Sequence, residues 1–266
     1  VTFSAELDQL PDVLDVLIIA TPSHIRRNVI EKLVKKFIVQ YIILEKIVFQ
    51  KSDDFLPIFN LFAKKNIRSW INCWRRSFSL YKDLKKELYG HTLVIKASGT
   101  KWGLGCNAIH LIDLLVFLTG QTDLFFCNDK LDKEIYPAKR EGFKEFRGDF
   151  VVKTTRGDVL KMTDSDGFAE GSLGIAIKVD NLKFFIDEDS GNLVINSSNS
   201  QTEKKKISTP YQSETTGLLV DQIIQTRQSD LTPFAECMNY HIPMLDSFNK
   251  HITKVTGSPV QSCPIT

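Results

Sequence analysis

Short apolar runs alternating with helical patterns limit what the first third of this chain can fold into. Asp15 to Ala20 (DVLIIA) is continuously apolar after its aspartate and stops at Thr21-Pro22. Ser23 then offers an N-cap, and Ile25, Val29, Ile30, Leu33 and Val34 recur at helical spacing. Phe37 to Leu44 (FIVQYIIL) is a second buried strand and Asn66 to Cys73 a third. Between them, Ser52-Asp53-Asp54 opens a helix carrying Phe55, Phe59 and Phe62 on one stripe, with acidic residues in the dipole-favoured first turn. A further helix over Leu80–Tyr89 is stopped by Gly90. This rhythm predicts βαβ units and a parallel sheet.

Beyond Gly90 the pattern changes. A strand over Thr92–Ala97 leads through a loop into a very apolar helix, about Asn107 to Leu118, closed by Gly120. Strands follow at Asp149–Thr154, Val159–Thr163, Leu173–Val179, Leu182–Ile186 and Leu193–Asn196, separated by turn residues at hairpin spacing. They predict an antiparallel meander. The polar tract Ser197–Lys206 reads as a loop or exposed edge, and two helices close the chain, over Gln212–Thr226 and Pro233–His251. The expected fold class is therefore an α/β unit over residues 1–89 followed by an α+β unit over 90–266 with an open, mainly antiparallel sheet.

Charge and cysteine content narrow the function classes. The 34 basic against 32 acidic residues leave a formal charge of +2, without the basic excess of a nucleic-acid binder. No apolar run reaches the roughly 20 residues of a membrane span, and there is no signal-peptide pattern. Cys73, Cys106, Cys127, Cys237 and Cys263 are scattered and odd in number, which argues against a disulfide framework or a zinc site and for the cytoplasm.

Several motifs carry more apparent than real information. Gly103-Leu104-Gly105-Cys106-Asn107-Ala108 matches GxGxxA, but residues 98–102 separate it from the preceding strand, whereas a dinucleotide loop must turn directly out of its strand. The RGD triplets at 147–149 and 156–158 read as strand-edge and turn sequences. The acidic turns at 164–167 and 187–192 lack the glycine and distal glutamate of a calcium loop. The other histidines form no metal-ligand spacing, so no metal is expected.

Two residues have chemically meaningful positions. Lys46 follows Glu45 at the end of an apolar strand, where a parallel sheet lines its ligand crevice and a lysine can stabilise developing negative charge. The competing reading is a surface lysine. His110 sits in the apolar helix, flanked at helical spacing by Cys106, Asn107 and Asp113, and suits proton exchange near neutral pH. The competing reading is a satisfied core histidine.

Four segments in order, IIATPSH (18–24), ILEKI (43–47), INCWRRSFSLY (71–81) and KWGLGCNAIHLIDLL (101–115), together resemble the Gfo/Idh/MocA family of glucose–fructose oxidoreductase and inositol dehydrogenase. The resemblance implies a Rossmann domain binding NAD or NADP and a C-terminal domain presenting a sugar-like substrate. It implies hydride transfer at a secondary hydroxyl, with Lys46, His110 and Asn107 catalytic. Ala20, Thr21, Pro22, Ser23, Glu45, Lys46 and Arg75 would approach the cofactor, and Arg76, Trp102, Asn107 and His110 the substrate. It also implies a homo-oligomer formed through the C-terminal sheet.

Three departures stand out. Ile47 replaces the proline after the lysine, which predicts a looser lysine. Cys106 and Asn107 stand where an acid is common. The glycine-rich first βα unit would precede Val1. A non-catalytic ligand-binding or regulatory protein on the same fold is the alternative expectation.

Overall fold

The computed structural model describes residues 4–167, 171–198 and 200–266. The apolar runs become β1 (Val13–Ile19), β2 (Ile38–Leu44) and β3 (Arg68–Ile71), alternating with α1 (Arg26–Lys36), α2 (Phe55–Lys64) and α3 (Ser79–Leu88). β1 pairs with β2 in parallel from Val13↔Ile38 to Ile19↔Leu44, and β2 pairs with β3 in parallel from Tyr41↔Arg68 to Leu44↔Ile71. Each helix forms because one stripe reaches the core: Ile30, Leu33 and Val34 on α1, Phe55, Ile58 and Phe62 on α2, Tyr81, Leu84 and Leu88 on α3. Phe59, expected on the buried stripe, is exposed, because Ile58 takes the inward position three residues after Phe55.

The second part contains β4 (Val94–Thr100), α4 (Leu104–Thr119), β5 (Leu124–Leu131) and a small hairpin of β6 (Tyr136–Pro137) with β7 (Lys144–Glu145). Then follow β8 (Gly148–Thr154), β9 (Val159–Ser165), β10 (Leu173–Val179), β11 (Leu182–Asp187), β12 (Asn192–Ser197) and β13 (Ser200–Lys206). The chain ends with α5 (Gln212–Thr226), β14 (Thr232–Pro233) and α6 (Phe234–Thr256). Eight strands make one sheet in the order β13-β12-β11-β10-β4-β9-β8-β5.

The meander expectation needs correction at the centre of this sheet. β4 inserts between β9 and β10, pairing parallel to β9 and antiparallel to β10. Gly99 permits the insertion, since a side chain there would collide with the Ser172 carbonyl. The polar tract at 197–206 supplies the exposed edge strand β13, whose three consecutive lysines discourage further pairing.

The core lies beneath this sheet, where α4 is buried along most of its length. Phe248 of α6 stacks on Phe146 and Phe150 at 4.4 and 4.6 Å between ring centres. β14 returns to pair antiparallel with β3, so residues late in the chain complete the first sheet. The second RGD triplet is structural: Asp158, fully buried, accepts from the Leu93 amide and the Thr154 hydroxyl. No helix among the described residues is long and apolar enough to cross a membrane.

Candidate active site

β1 and β2 end side by side, and their carboxyl-terminal loops carry Ala20-Thr21 and Glu45-Lys46. Arg26, the first residue of α1, binds both loops. Its guanidinium donates to the carbonyls of Glu45 at 2.5 Å, Val48 at 3.0 Å, Ile47 and Thr21. Burial pushes its pKa down to about 10, so it remains a cation among these carbonyl dipoles. Lys46 is thereby held from behind. Its Nζ donates to the Cys106 carbonyl and to Asn107 Oδ1, both at 3.0 Å, while Asn107 Nδ2 donates to the Trp102 carbonyl at 2.7 Å. Ile47 was expected to loosen the lysine, but it is fully buried and the Lys46 ammonium is held by its two bonds to residues 106 and 107.

The start of α4 explains the glycines at 103 and 105. Glu145 accepts the amide hydrogens of Gly105 and Cys106 at 2.6 and 3.2 Å, and Asp164 accepts those of Gly103 and Leu104 at 3.0 and 3.1 Å. A Cβ at Gly105 would lie 2.8 Å from Glu145 Oε2, and Gly103 adopts a left-handed φ of 81°. The helix N-terminus is occupied by the protein's own carboxylates, so this GxGxxA segment does not cradle a pyrophosphate. These tertiary caps also start the helix at Leu104 instead of Asn107.

His110 is buried against Trp74, with ring centres 5.7 Å apart, and its Nδ1 has no hydrogen-bond partner among the described residues. Burial, with help from the Lys46 and Arg75 charges, holds its pKa well below the usual range. The imidazole is therefore neutral at pH 7. Asp113, three residues on, does not serve it. That carboxylate accepts two bonds from Arg76 at 2.8 and 3.0 Å, one from Tyr240 at 2.5 Å and one from Thr232. Burial pushes the Cys106 thiol up to about 11, so it stays protonated.

Two cavities meet over Lys46, Trp102 and Asn107. One, about 690 Å³, extends along the carboxyl ends of β1 and β2 beneath the β6–β7 hairpin, lined by Ala20, Thr21, Glu45, Lys101 and Arg140 among others. The other, about 660 Å³, holds Trp74, Arg75, His110, Glu188, Asp189 and the 209–212 loop. Seven basic and three acidic side chains line the first; two of each line the second.

Most of the residues expected from sequence converge here. Lys46, Trp102 and Asn107 face both cavities, Ala20, Thr21 and Glu45 the first, His110 and Arg75 the second. Pro22, Ser23 and Arg76 line neither. Ser23 Oγ donates to the Ile265 carbonyl, and Arg76 is held in its buried pair with Asp113, whose charge, against the cost of burial, raises the guanidinium pKa. Arg75, which the resemblance places at the cofactor, lines the second cavity with His110 and pairs with Glu188.

Arg26 and Glu188 went unnoticed in the sequence. Glu188 had one faint signal, the acidic turn at 187–192, but nothing in spacing brings it to Arg75, 113 residues away. Among the described residues no three His, Cys, Asp or Glu side chains group to hold a metal.

This arrangement has the fold of several solved dehydrogenases and of a repressor. UDP-N-acetylglucosamine 3-dehydrogenase GnnA from Acidithiobacillus ferrooxidans superposes with a TM-score of 0.71 at 14% identity, over 88% of this chain and 77% of that one. The dehydrogenase MviM from Clostridium difficile gives 0.64 at 15% identity, over 91% and 79%. The super-repressor mutant of Gal80p from Saccharomyces cerevisiae gives 0.65 at 14% identity, over 93% and 80%. No protein-family model and no curated protein matches the sequence.

Proposed function

We propose that this chain is a Gfo/Idh/MocA-type dehydrogenase that moves a hydride between NAD or NADP and a secondary hydroxyl of a sugar-like substrate. The carrying observation is the convergence of Lys46, Asn107 and His110 where the two cavities meet. The first cavity suits a dinucleotide. It lies at the carboxyl ends of parallel strands, its basic lining favours a polyanion, and the buried Thr21 hydroxyl has no partner among the described residues. Ala20, Thr21, Glu45 and Lys46 would hold the cofactor, which when bound supplies the hydride acceptor or donor.

The chain's own residues account for the proton and the oxygen. Neutral His110, on the wall of the second cavity, would accept the hydroxyl proton on its imidazole during oxidation and return it during reduction. The Lys46 ammonium, fixed by Asn107 and the Cys106 carbonyl, makes its third contact with the Cys106 sulfur at 3.8 Å, a weak acceptor that a substrate oxygen would displace. Among the described residues no carboxylate bonds to His110, so burial keeps it in the base form.

A repressor among the fold neighbours favours one second reading, a regulatory protein that binds the same ligands without turnover. Titrating NAD(H) and NADP(H) by calorimetry, then following absorbance of the reduced nicotinamide with a panel of sugars, separates the two. Turnover lost in Lys46→Ala supports the enzyme; binding without turnover for every sugar sinks it. We also propose pairing of copies through the outer face of the large sheet, where Phe185 is exposed, and a domain boundary at residues 89 and 90. Sedimentation would read the oligomer.

A further inference from the structure

We propose that the Glu188–Arg75 ion pair restricts the second cavity to uncharged polyhydroxy compounds, with Glu188 the residue that excludes carboxylates and phosphates. This rests on the reading that the second cavity takes the substrate. An arginine fork at a cavity wall is by itself a carboxylate or phosphate site. Here the fork is closed: Arg75 Nε donates to both Glu188 oxygens at 2.9 and 3.2 Å, and Nη2 donates at 2.7 Å.

Glu188 is held from two further sides. Its carboxylate accepts the Tyr81 hydroxyl at 2.5 Å, and its backbone carbonyl accepts the Thr209 hydroxyl at 2.6 Å. The guanidinium lies 4.6 Å from the Trp74 ring centre, and the two charged side chains are 8% and 12% exposed. The remaining lining charges are Lys46 and Asp189, so an incoming anion meets a cavity whose charges already cancel. An anion would be desolvated with the arginine fork already taken, at a cost well above that of neutral hydroxyls.

The test needs no turnover. Trp74 and Trp102 line the cavity, so their fluorescence reports occupancy by D-glucuronate or D-glucosamine at fixed pH and ionic strength. The wild-type protein should show no saturable response to D-glucuronate. Glu188→Gln frees the arginine and should bind D-glucuronate at least tenfold more tightly. Arg75→Gln leaves the carboxylate unpaired and should make the same gain for the cationic D-glucosamine, while the double Arg75→Gln, Glu188→Gln variant gains neither.

Circular dichroism melts identify any variant that does not fold, and either single variant suffices alone. Saturable wild-type binding of D-glucuronate, or a folded single variant without its predicted gain, overturns the proposal. Charge-switched binding in a protein that never reduces NAD(P) would sink the dehydrogenase reading and leave this one standing.

Discussion

The two cavities that meet at Lys46 handle charge in opposite ways. In the first, Lys139 and Arg140 on the β6–β7 hairpin make no ion pair among the described residues, and Lys101 only approaches Asp166 at 3.8 Å. In the second, Arg75 and Glu188 neutralise each other. A formal charge of +2 over the whole chain conceals both arrangements. Local excess attracts a polyanion, and local balance admits a ligand whose specificity must come from hydrogen bonds.

The largest effect expected lies at the junction. Lys46→Ala should lower kcat/KM about 10³-fold, and His110→Asn about 10²- to 10⁴-fold, with nicotinamide affinity changed only a few-fold in each. Calorimetry alongside steady-state rates tests this. A parallel collapse of cofactor affinity and turnover would mean that Lys46 acts mainly in holding the cofactor and not on the substrate oxygen. Arg26→Met comes next. Removing the buried guanidinium leaves four carbonyls without their donor and should lower stability by about 3 kcal/mol in urea melts. If the loops at 20–21 and 45–48 are bound together by Arg26, kcat should fall as well.

The sequence made the parallel strands and most of the helices readable because their signals are local: apolar period, caps and stops within one window. The same locality placed Lys46 and His110 as candidates, since a strand end and a helix face are visible from spacing. Contacts made across long separations were not readable. Arg26 looks like any basic residue opening a helix, and Glu145 and Asp164 look like ordinary strand and turn acids until they cap α4. Asp113 illustrates the error this causes. Spacing put it beside His110, but Arg76, Tyr240 and Thr232, from three other parts of the chain, claim its oxygens.

Behind the junction, His241 provides an intermediate effect. It is fully buried, its Nδ1 lies 2.6 Å from Cys237 Sγ, and burial, then the Arg26 and Lys46 charges, push its pKa down to about 3. The unfolded chain binds a proton near the ordinary histidine pKa of about 6.5, and the folded one does not until about 3. The stability from the neutral ring is therefore complete above pH 6.5 and is lost as pH falls towards 3. At pH 5 the loss should be about 2 kcal/mol relative to pH 7, and His110 adds to it with the same sign. Thermal melts of His241→Asn should show a correspondingly flatter pH dependence; an unchanged slope would mean that the ring titrates alike in the folded and unfolded chain.

The smallest effect separates the cavities most cleanly. Lys101→Ala and Arg140→Ala remove partly or fully exposed cations, whose attraction for a phosphate is screened within about 8 Å at physiological salt. Each should weaken nicotinamide dinucleotide binding only about three-fold at low ionic strength, and the loss should fade as salt is added. Sugar KM should not move, because neither residue lines the second cavity. Equal weakening of cofactor and sugar would show that the hairpin shapes both spaces mechanically. A salt-sensitive loss confined to the cofactor would show that it acts through charge on the first cavity alone.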